Sequence, residues 1–236
     1  MLGNEKLWSC TPVGACRLPS GVQVWAAWLD GRGAGIAGFW PTLSSQEQER
    51  AGRLAIERER ARFVAARGLL RTILASCLGT EPGSVEFVYS ATGKPSLGGA
   101  FANCGREFNV AHSGDLAVFA VARDGVVGVD VEQIRPIPDL STLSQRYFSP
   151  RECGEINHLS GEEATRGFFK LWTRKEAWLK ATGQGITGAL NSIEVVGPPS
   201  EEGLCIRPPE DSGCARLCLH DLAPAPGFLG ALAVPA

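Results

Sequence analysis

The sequence predicts an α+β fold made of two similar halves, each with helices packed on a small antiparallel sheet. Short β-branched and aromatic runs bounded by turn residues indicate strands, and longer stretches with helical spacing of apolar residues indicate helices. The order of a strand, helices and three strands occurs twice along the 236 residues, which is typical of a duplicated unit. We therefore expect one subdomain at residues 1–124 and a second at residues 125–236.

The first half begins with a strand at Val22 to Leu29, whose β-branched and aromatic residues indicate burial. Ser44 followed by Glu47 is a capping-box signature, and apolar residues at helical spacing continue this helical region to Leu78, before Gly79. A turn is predicted at residues 112–115. The remaining strands of this half are predicted at Val85 to Tyr89, Phe108 to Ala111 and Leu116 to Ala122.

The second half follows a turn at Asp124-Gly125. It begins with a strand at Val126 to Val131, and a clear helix start comes at Ser149-Pro150-Arg151-Glu152, which joins an N-cap, a first-turn proline and a capping-box glutamate. A longer helix is predicted at Glu163 to Thr182. Residues 197–213 are rich in Pro and Gly and predict a long surface loop. The other strands are predicted at Ile193 to Val196, Arg216 to Leu219 and Leu229 to Val234.

The composition excludes several classes of partner. Lys and Arg number 23 against 25 Asp and Glu, so no general basic field exists for a nucleic acid or an anionic membrane. The apolar runs are far shorter than the roughly 20 residues of a membrane-spanning helix. The eight cysteines form no CxxC pair and only three histidines accompany them, so neither zinc nor a disulfide scaffold is indicated. We expect a soluble cytoplasmic protein.

Two acids share one face of a predicted strand in the segment GVDVE (128–132). Because side chains alternate along a strand, Asp130 and Glu132 point to one face and Val127, Val129 and Val131 to the other. A solvated strand face explains such a pair, and so does oxygen ligation of Mg²⁺. The spacing alone does not decide between these two interpretations.

A third acid lies inside an apolar helix face. At 100° per residue, Glu176 falls between Phe169, Trp172 and Leu179. An uncompensated buried carboxylate is costly, so it needs a partner. Either Lys180, one turn on, forms an ordinary ion pair with it, or it meets a cation across the core.

Three further groups could bind phosphate. Gly93-Lys94-Pro95 is a turn that presents one ammonium, but Pro95 stands where a Walker A loop needs Ser or Thr. The segment from His112 to Asp115 suggests a serine hydrolase, but Ala111 stands two residues before Ser113, where the nucleophile elbow of such an enzyme needs Gly. His112 is either a phosphate donor or a plain turn histidine. The first helical region carries arginines that suit either a solvated face or a phosphate site, namely Arg58, Arg60, Arg62, Arg67 and Arg71.

Taken in order, FNVAHSG (108–114), GVDVE (128–132) and LWTRKEAWLK (171–180), with TGKP (92–95) upstream, resemble the Sfp-type 4'-phosphopantetheinyl transferases. The Ala177 after Glu176 is similar to the branch of that family with a WxxKEA motif. The resemblance covers roughly residues 40 to 185. It implies a monomer of two similar α+β halves, with coenzyme A bound in the cleft between them and Mg²⁺, or Mn²⁺, on its pyrophosphate.

The resemblance also implies roles for individual residues. Asp130, Glu132 and Glu176 would be metal ligands, and Asp130, Glu176 and Lys180 would act in catalysis. Coenzyme A would be bound by a set of residues from both halves: Arg62, Arg67, Gly93, Lys94, Pro95, His112, Ser113 and Lys180.

The implied reaction is attack of a carrier-protein serine on coenzyme A, giving the phosphopantetheinyl carrier and 3',5'-ADP. The carrier, of acyl or peptidyl type, is expected to present an acidic helix, which a basic and apolar patch would suit. Candidates for this patch are Arg146, Tyr147, Phe148 and Arg151. Two other functions fit some of the same residues: a Mg²⁺-dependent phosphodiesterase using water, and a non-enzymatic module that binds coenzyme A or another nucleotide.

Overall fold

The computed structural model describes residues 7–9, 18–30, 36–91, 93–183, 190–200, 203–207 and 216–236. Runs of antiparallel strands and runs of helices follow one another along them, which confirms the predicted α+β class. The helices in these ranges are α1 (Ser45–Gly52), α2 (Glu57–Leu78), α3 (Leu140–Tyr147), α4 (Pro150–Asn157) and α5 (Gly161–Thr182). The strands are β1 (Leu7–Ser9), β2 (Val22–Trp28), β3 (Phe87–Tyr89), β4 (Pro95–Leu97), β5 (Arg106–Ser113), β6 (Leu116–Arg123), β7 (Gly128–Gln133), β8 (Glu194–Ser200), β9 (Gly203–Arg207), β10 (Leu217–Leu222) and β11 (Phe228–Pro235).

The first sheet has the strand order β1-β2-β6-β5, and every neighbouring pair is antiparallel. Helix α2 packs on it, because Leu70 and Leu74 share one buried cluster with Phe119 of β6. The predicted helical region contains two helices. Helix α1 ends at Gly52, and Ile56 takes an extended conformation (φ −87°, ψ 116°) before α2 begins.

The predicted strand at Val85 to Tyr89 does not join the first sheet. Within the described ranges, strand β3 pairs with β4 alone, and the two form a separate two-stranded sheet. Pro95 opens β4 and has no N–H to donate to a ladder, which suits a short edge strand. The three strands predicted after the helices are confirmed as β3, β5 and β6, whereas β4 was not predicted.

The second sheet has the order β7-β11-β10-β9-β8. Residues 197–213 were predicted as a loop, but β8 extends to Ser200 and β9 spans Gly203–Arg207; residues 201–202 and 208–213 lie outside the described residues. The prolines at 198 and 199 are compatible with a strand because β8 is at the edge of the sheet. Helix α3, begun by the Asp139 side chain that accepts from Thr142 N–H, was not predicted.

The helix boundaries that rested on capping signals are confirmed. Both bonds of the capping box are present at Ser44 and at Ser149. Gly79 ends α2 in the left-handed region (φ 67°). Local hydrogen bonds fix these ends, so local sequence predicts them.

The two sheets face each other across a shared apolar core. Val24 and Val118 of the first sheet belong to one buried cluster with Val129, Val131 and Leu232 of the second. The two larger sheets share one arrangement, in which a strand pairs with the last strand of its sheet along the chain, and that strand pairs with the one before it: β2-β6-β5 and β7-β11-β10. The predicted valine face of the D-x-E strand is therefore the face that joins the two sheets.

Candidate active site

Strand β7 and helix α5 lie against each other at a glycine. A Cβ atom on Gly128 would lie 2.0 Å from the carbonyl oxygen of Ala177 and 2.4 Å from the amide nitrogen of Ala181. Only a residue without a side chain allows this approach. The contact brings the α5 residues Glu176 and Lys180 beside Asp130 of β7.

Asp130 is buried, with one of its two oxygens unpaired. Oδ1 accepts a hydrogen bond from Lys180 Nζ at 2.6 Å, whereas Oδ2 has no hydrogen-bond partner. Burial raises the pKa of Asp130 to about 6, although Lys180 favours the charged form. One buried carboxylate oxygen is thus available to a further cation.

Glu176 lies within the apolar face of α5, as the periodicity predicted. Its side chain is buried, and Oε1 has no hydrogen-bond partner. Burial, with the charge of Asp130 as the next cause, raises the pKa of Glu176 to about 7. The ordinary ion pair with Lys180 one turn on does not form, because the Lys180 ammonium binds Asp130 instead.

Glu132 has partners of its own. Its Oε2 accepts from Ser113 Oγ at 2.8 Å and from Arg135 Nη1 at 3.0 Å. Across the described ranges, no three His, Cys, Asp or Glu side chains form a group that could hold a metal ion. The three acids expected as ligands are therefore not gathered at one point, although the charge of Glu132 raises the pKa of both other acids.

His112 and Ser113 lie on β5, not in the turn predicted at residues 112–115. The ladder with β6 continues through His112 and Ser113, which leaves Gly114 (φ 58°) and Asp115 to make the turn. Burial lowers the pKa of His112, and the positive charges of Lys180 and Arg62 lower it further. His112 therefore lies within electrostatic reach of both α5 and α2.

Gly93, with φ 80°, and Lys94 lie in the predicted turn between β3 and β4, and Pro95 is the first residue of β4. Lys94 Nζ donates to the carbonyl oxygens of Lys180 at 2.8 Å and Ala181 at 3.4 Å. Carbonyls in the last turn of a helix lack intrahelical donors, so this ammonium completes the end of α5. A side chain of the first half thereby binds the helix that carries Glu176.

Arg62 and Arg67, the two candidates for phosphate binding on α2, have separate partners. Arg62 Nε donates to Asp115 Oδ1 at 2.8 Å. Although burial alone would raise the pKa of Asp115, the guanidinium groups of Arg58 and Arg62 hold it below its usual value. Asp115 was not expected to act as this anchor.

Arg67 belongs to a different cluster. Its Nε donates to Glu47 Oε1 at 2.6 Å, its Nη2 donates to Tyr89 Oη at 2.7 Å, and the guanidinium lies over Phe87. Arg71 donates to the other oxygen of Glu47 at 2.7 Å. Arg67 is therefore committed to holding α1 and the β3–β4 hairpin on α2.

A buried ion pair that the sequence did not reveal supports α5. Lys175 Nζ donates to Glu152 Oε2 and to the carbonyl oxygen of Leu190, and both charged side chains are almost fully buried. Glu152 also accepts from the N–H groups of Ser149 and Val195. The capping-box signature identified Glu152, but nothing local indicated that Lys175 is its partner.

The candidate carrier patch is only partly at the surface. Arg146 is exposed and lies over the ring of Tyr147, and the exposed Arg151 pairs with Glu155. Phe148 is buried, with 2% exposed, because it packs in the core with Phe168. Phe148 is therefore a core residue, and its predicted place in the carrier patch was wrong. In the described part of the chain, no helix is long and apolar enough to cross a bilayer.

Two family models match the chain on either side of the β6–β7 turn. The one described as "4'-phosphopantetheinyl transferase superfamily" matches residues 126–225, and the one described as "4'-phosphopantetheinyl transferase, N-terminal" matches residues 35–124.

Curated relatives carry similar names. The chain is 42% identical over 197 residues to 4'-phosphopantetheinyl transferase HetI of Nostoc sp., which covers 84% of this chain and 83% of the relative. It is 31% identical over 191 residues to 4'-phosphopantetheinyl transferase psf-1 of Bacillus pumilus (78% and 76%). It is 29% identical over 153 residues to a 4'-phosphopantetheinyl transferase of Bacillus subtilis (65% and 66%).

Proposed function

The chain belongs to the 4'-phosphopantetheinyl transferase superfamily, and from this premise we propose that it transfers the 4'-phosphopantetheine group of coenzyme A to a serine of an acyl or peptidyl carrier protein. The second product is 3',5'-ADP. The observation that carries the proposal is the pair of buried, unpartnered oxygens, Asp130 Oδ2 and Glu176 Oε1, beside the Lys180 ammonium. Unpaired buried carboxylate oxygens are costly unless a cation binds them.

These oxygens fit Mg²⁺, and Mn²⁺ equally, because both ions bind carboxylates. Asp130 and Glu176 would be the first ligands, and Glu132 would join them on leaving Ser113 and Arg135. The bound ion would supply neutralisation of charge on the pyrophosphate of coenzyme A.

Residues of the chain itself would supply proton transfer and charge stabilisation in the reaction. The serine oxygen attacks the β-phosphorus of coenzyme A, a new P–O bond forms, and the P–O bond to 3',5'-ADP breaks. Glu176 takes the serine proton, and Lys180 stabilises the negative charge on the leaving phosphate. Phosphoryl transfer needs mainly positioning and charge stabilisation, which a rigid strand and helix provide.

The nucleotide end of coenzyme A would lie on the first half. Arg62 and His112 are the nearest candidates for the 3'-phosphate, since Arg62 contributes to the lowered pKa of His112. Gly93, Lys94, Pro95 and Ser113 would line the same end, and Lys94 would act there from its place on the α5 terminus. Both arginines already have carboxylate partners, and Arg67 is the weaker candidate because the charge of Arg62, not that of Arg67, acts on His112.

The remaining assignments belong to the same proposal. The halves would be residues 1–124 and 125–236, divided at the Asp124-Gly125 turn, and coenzyme A would bind between them. The protein would be a cytoplasmic monomer without a nucleic-acid partner and a member of the WxxKEA branch.

The carrier would dock on Arg146, Tyr147 and Arg151. Charge reversal at both arginines should raise the KM for carrier and leave the KM for coenzyme A unchanged.

Intact-mass spectrometry tests the reaction. An apo carrier protein is incubated with the protein, coenzyme A and Mg²⁺, and the gain of one phosphopantetheine group is expected only without EDTA and only with Glu176 intact. Glu176→Ala is compared with Glu162→Ala, an exposed glutamate in the first turn of the same helix. Hydrolysis of coenzyme A without carrier, or tight binding without any transfer to acyl and peptidyl carriers, would contradict the proposal.

A further inference from the structure

Strands β5 and β7 run side by side without sharing a backbone ladder. They belong to different sheets, yet two side chains of β5 accept backbone N–H groups of β7. Val129 N–H donates to Asn109 Oδ1 at 2.9 Å, and Gln133 N–H donates to Ser113 Oγ at 3.1 Å. Both bonds span 20 residues of sequence, so the two strands run in the same direction in constant register.

These bonds provide acceptors for two N–H groups on the side of β7 that faces away from β11. The strand is at the edge of the second sheet, where its other neighbour is β11. Without Asn109 the Val129 N–H on that side would be buried without an acceptor, at a cost of about 1–3 kcal/mol, whereas the bond of Gln133 N–H to Ser113 is exposed. Asn109 is itself 8% exposed, so its carbonyl oxygen and the Val129 N–H meet in a region shielded from water.

The two bonds bracket the acidic pair. Asn109 holds the residue before Asp130, and Ser113 holds the residue after Glu132. Ser113 Oγ also donates to Glu132 Oε2 at 2.8 Å. Because strand side chains alternate in direction, fixing the backbone at these two points fixes where both carboxylates point.

We propose that Asn109 is a positioning residue for the metal and phosphate site. Its side-chain oxygen sets the register of β7 against β5 and so holds Asp130 in line with Lys180 and Glu176, and Ser113 is the second clamp of the same register. The inference rests on the proposed function for the role of Asp130, but its geometric part does not. Asn109 touches neither substrate nor metal in this role.

The rest of the structure keeps β7 folded and paired with β11 when this bond is lost. Gly128 packs on α5, and β7 is hydrogen-bonded to β11 from Gly128 to Gln133. Removal of the Asn109 oxygen should therefore tilt the acidic segment and leave the fold intact. That separates a positioning role from a purely structural one.

The test uses three full-length variants. Asn109→Leu keeps the size but removes the acceptor, Asn109→Asp restores an oxygen at the same place, and Asn157→Leu is the control at an exposed asparagine that ends α4. Hydrogen exchange of the Val129 amide is followed by NMR on valine-labelled protein. Mn²⁺ affinity is measured by electron paramagnetic resonance, and melting temperature checks the fold.

In Asn109→Leu, exchange at Val129 should speed up roughly tenfold, the effect of one lost hydrogen bond. Mn²⁺ affinity should fall at least about tenfold, as for partners that orient metal ligands. Asn109→Asp should return both values to within about threefold of the unmodified protein, and Asn157→Leu should change neither. If leucine prevents folding, Asn109→Ala replaces it with the same expectations.

Unchanged Val129 exchange, or unchanged Mn²⁺ affinity with faster exchange, in a folded Asn109→Leu protein would overturn the inference. Failure of the proposed function gives a different result. In that case the unmodified protein would transfer nothing to a carrier, while the exchange and Mn²⁺ effects of Asn109→Leu would still be observed.

Discussion

Lys180 Nζ binds Asp130 Oδ1 at 2.6 Å and leaves Glu176, one turn earlier on the same helix, without a cation. The pair joins α5 to β7 across 50 residues of sequence. An ion pair between Glu176 and Lys180 along the helix would have neutralised Glu176 and occupied its carboxylate. The longer-range bond leaves one oxygen of each acid open, and this is the property that a cation site needs.

Glu176→Gln should abolish transfer without weakening the fold. Glutamine keeps the shape but has neither a metal-binding charge nor a basic oxygen, so the rate should fall by about 10²–10⁴-fold. Stability at pH 8 should not fall, because the change removes a buried charge that lacks a partner. Initial rates on an apo carrier and urea unfolding measure both; the control is Glu162→Gln, and a variant with full activity would refute the role of Glu176.

The contribution of Glu176 to the stability of the metal-free protein should decrease as the pH rises through 7. The pKa of Glu176 is about 7 in the folded state against 4.5 for an ordinary Glu, so the folded protein retains a proton that the unfolded chain releases. This stabilisation is complete below pH 4.5 and is lost as the pH rises through 7. The difference between the folded and unfolded pKa values of Glu176 corresponds to roughly 3 kcal/mol of the free energy of unfolding.

Urea unfolding in EDTA across this pH range checks that expectation. Asp130 contributes in the same direction because its pKa is raised to about 6. Glu176→Gln should flatten the dependence, and Glu162→Gln should not. The comparison of variants is needed because the lowered pKa values of His112 and His220 act in the opposite direction. The same pH dependence in the unmodified protein and in Glu176→Gln would contradict the burial of Glu176.

Breaking the buried pair of Lys175 and Glu152 should be strongly destabilising. Lys175→Met leaves Glu152 as an uncompensated buried charge, which costs about 3–5 kcal/mol. The double variant Lys175→Met/Glu152→Gln should lose less than the sum of the single variants. A double-mutant cycle by urea unfolding measures the coupling; the exposed pair Arg151 and Glu155 is the control, with at most about 0.5 kcal/mol expected.

Arg62 and Arg67 should affect different quantities. Arg62→Ala should raise the KM for coenzyme A about tenfold but not the KM for 3'-dephospho-coenzyme A, because it removes one charged hydrogen bond to the 3'-phosphate. Arg67→Ala should instead lower the free energy of unfolding by about 1–3 kcal/mol, since Glu47 loses a buried partner. Steady-state kinetics with both substrates and thermal unfolding of both variants decide. Equal losses on the two substrates for Arg62→Ala would move the 3'-phosphate elsewhere.

Local signals predicted what local forces determine. The capping boxes at Ser44 and Ser149, the left-handed Gly79 and the valine face of β7 depend on residues within a few positions of one another. The buried place of Glu176 followed from helical spacing alone. All of these were correct because no distant partner was needed to fix them.

Long-range partners were beyond the sequence. Nothing near Lys94 indicates that it binds the end of α5, and nothing near Lys180 indicates Asp130 over Glu176. The strands within the predicted loop were missed because the edge position that tolerates prolines is a property of the assembled sheet. Phe148 directly follows Arg146 and Tyr147 in the sequence, and its burial against Phe168 is visible only in the folded structure.

The side-chain bonds from Asn109 and Ser113 to β7 also bear on self-association. An exposed strand edge with free N–H groups is a template on which a second chain can add a strand and start aggregation. Side-chain oxygens occupy two of these N–H groups but cannot continue a backbone ladder. The seam between the halves therefore ends the second sheet at β7, and this edge is protected from other chains in a crowded solution.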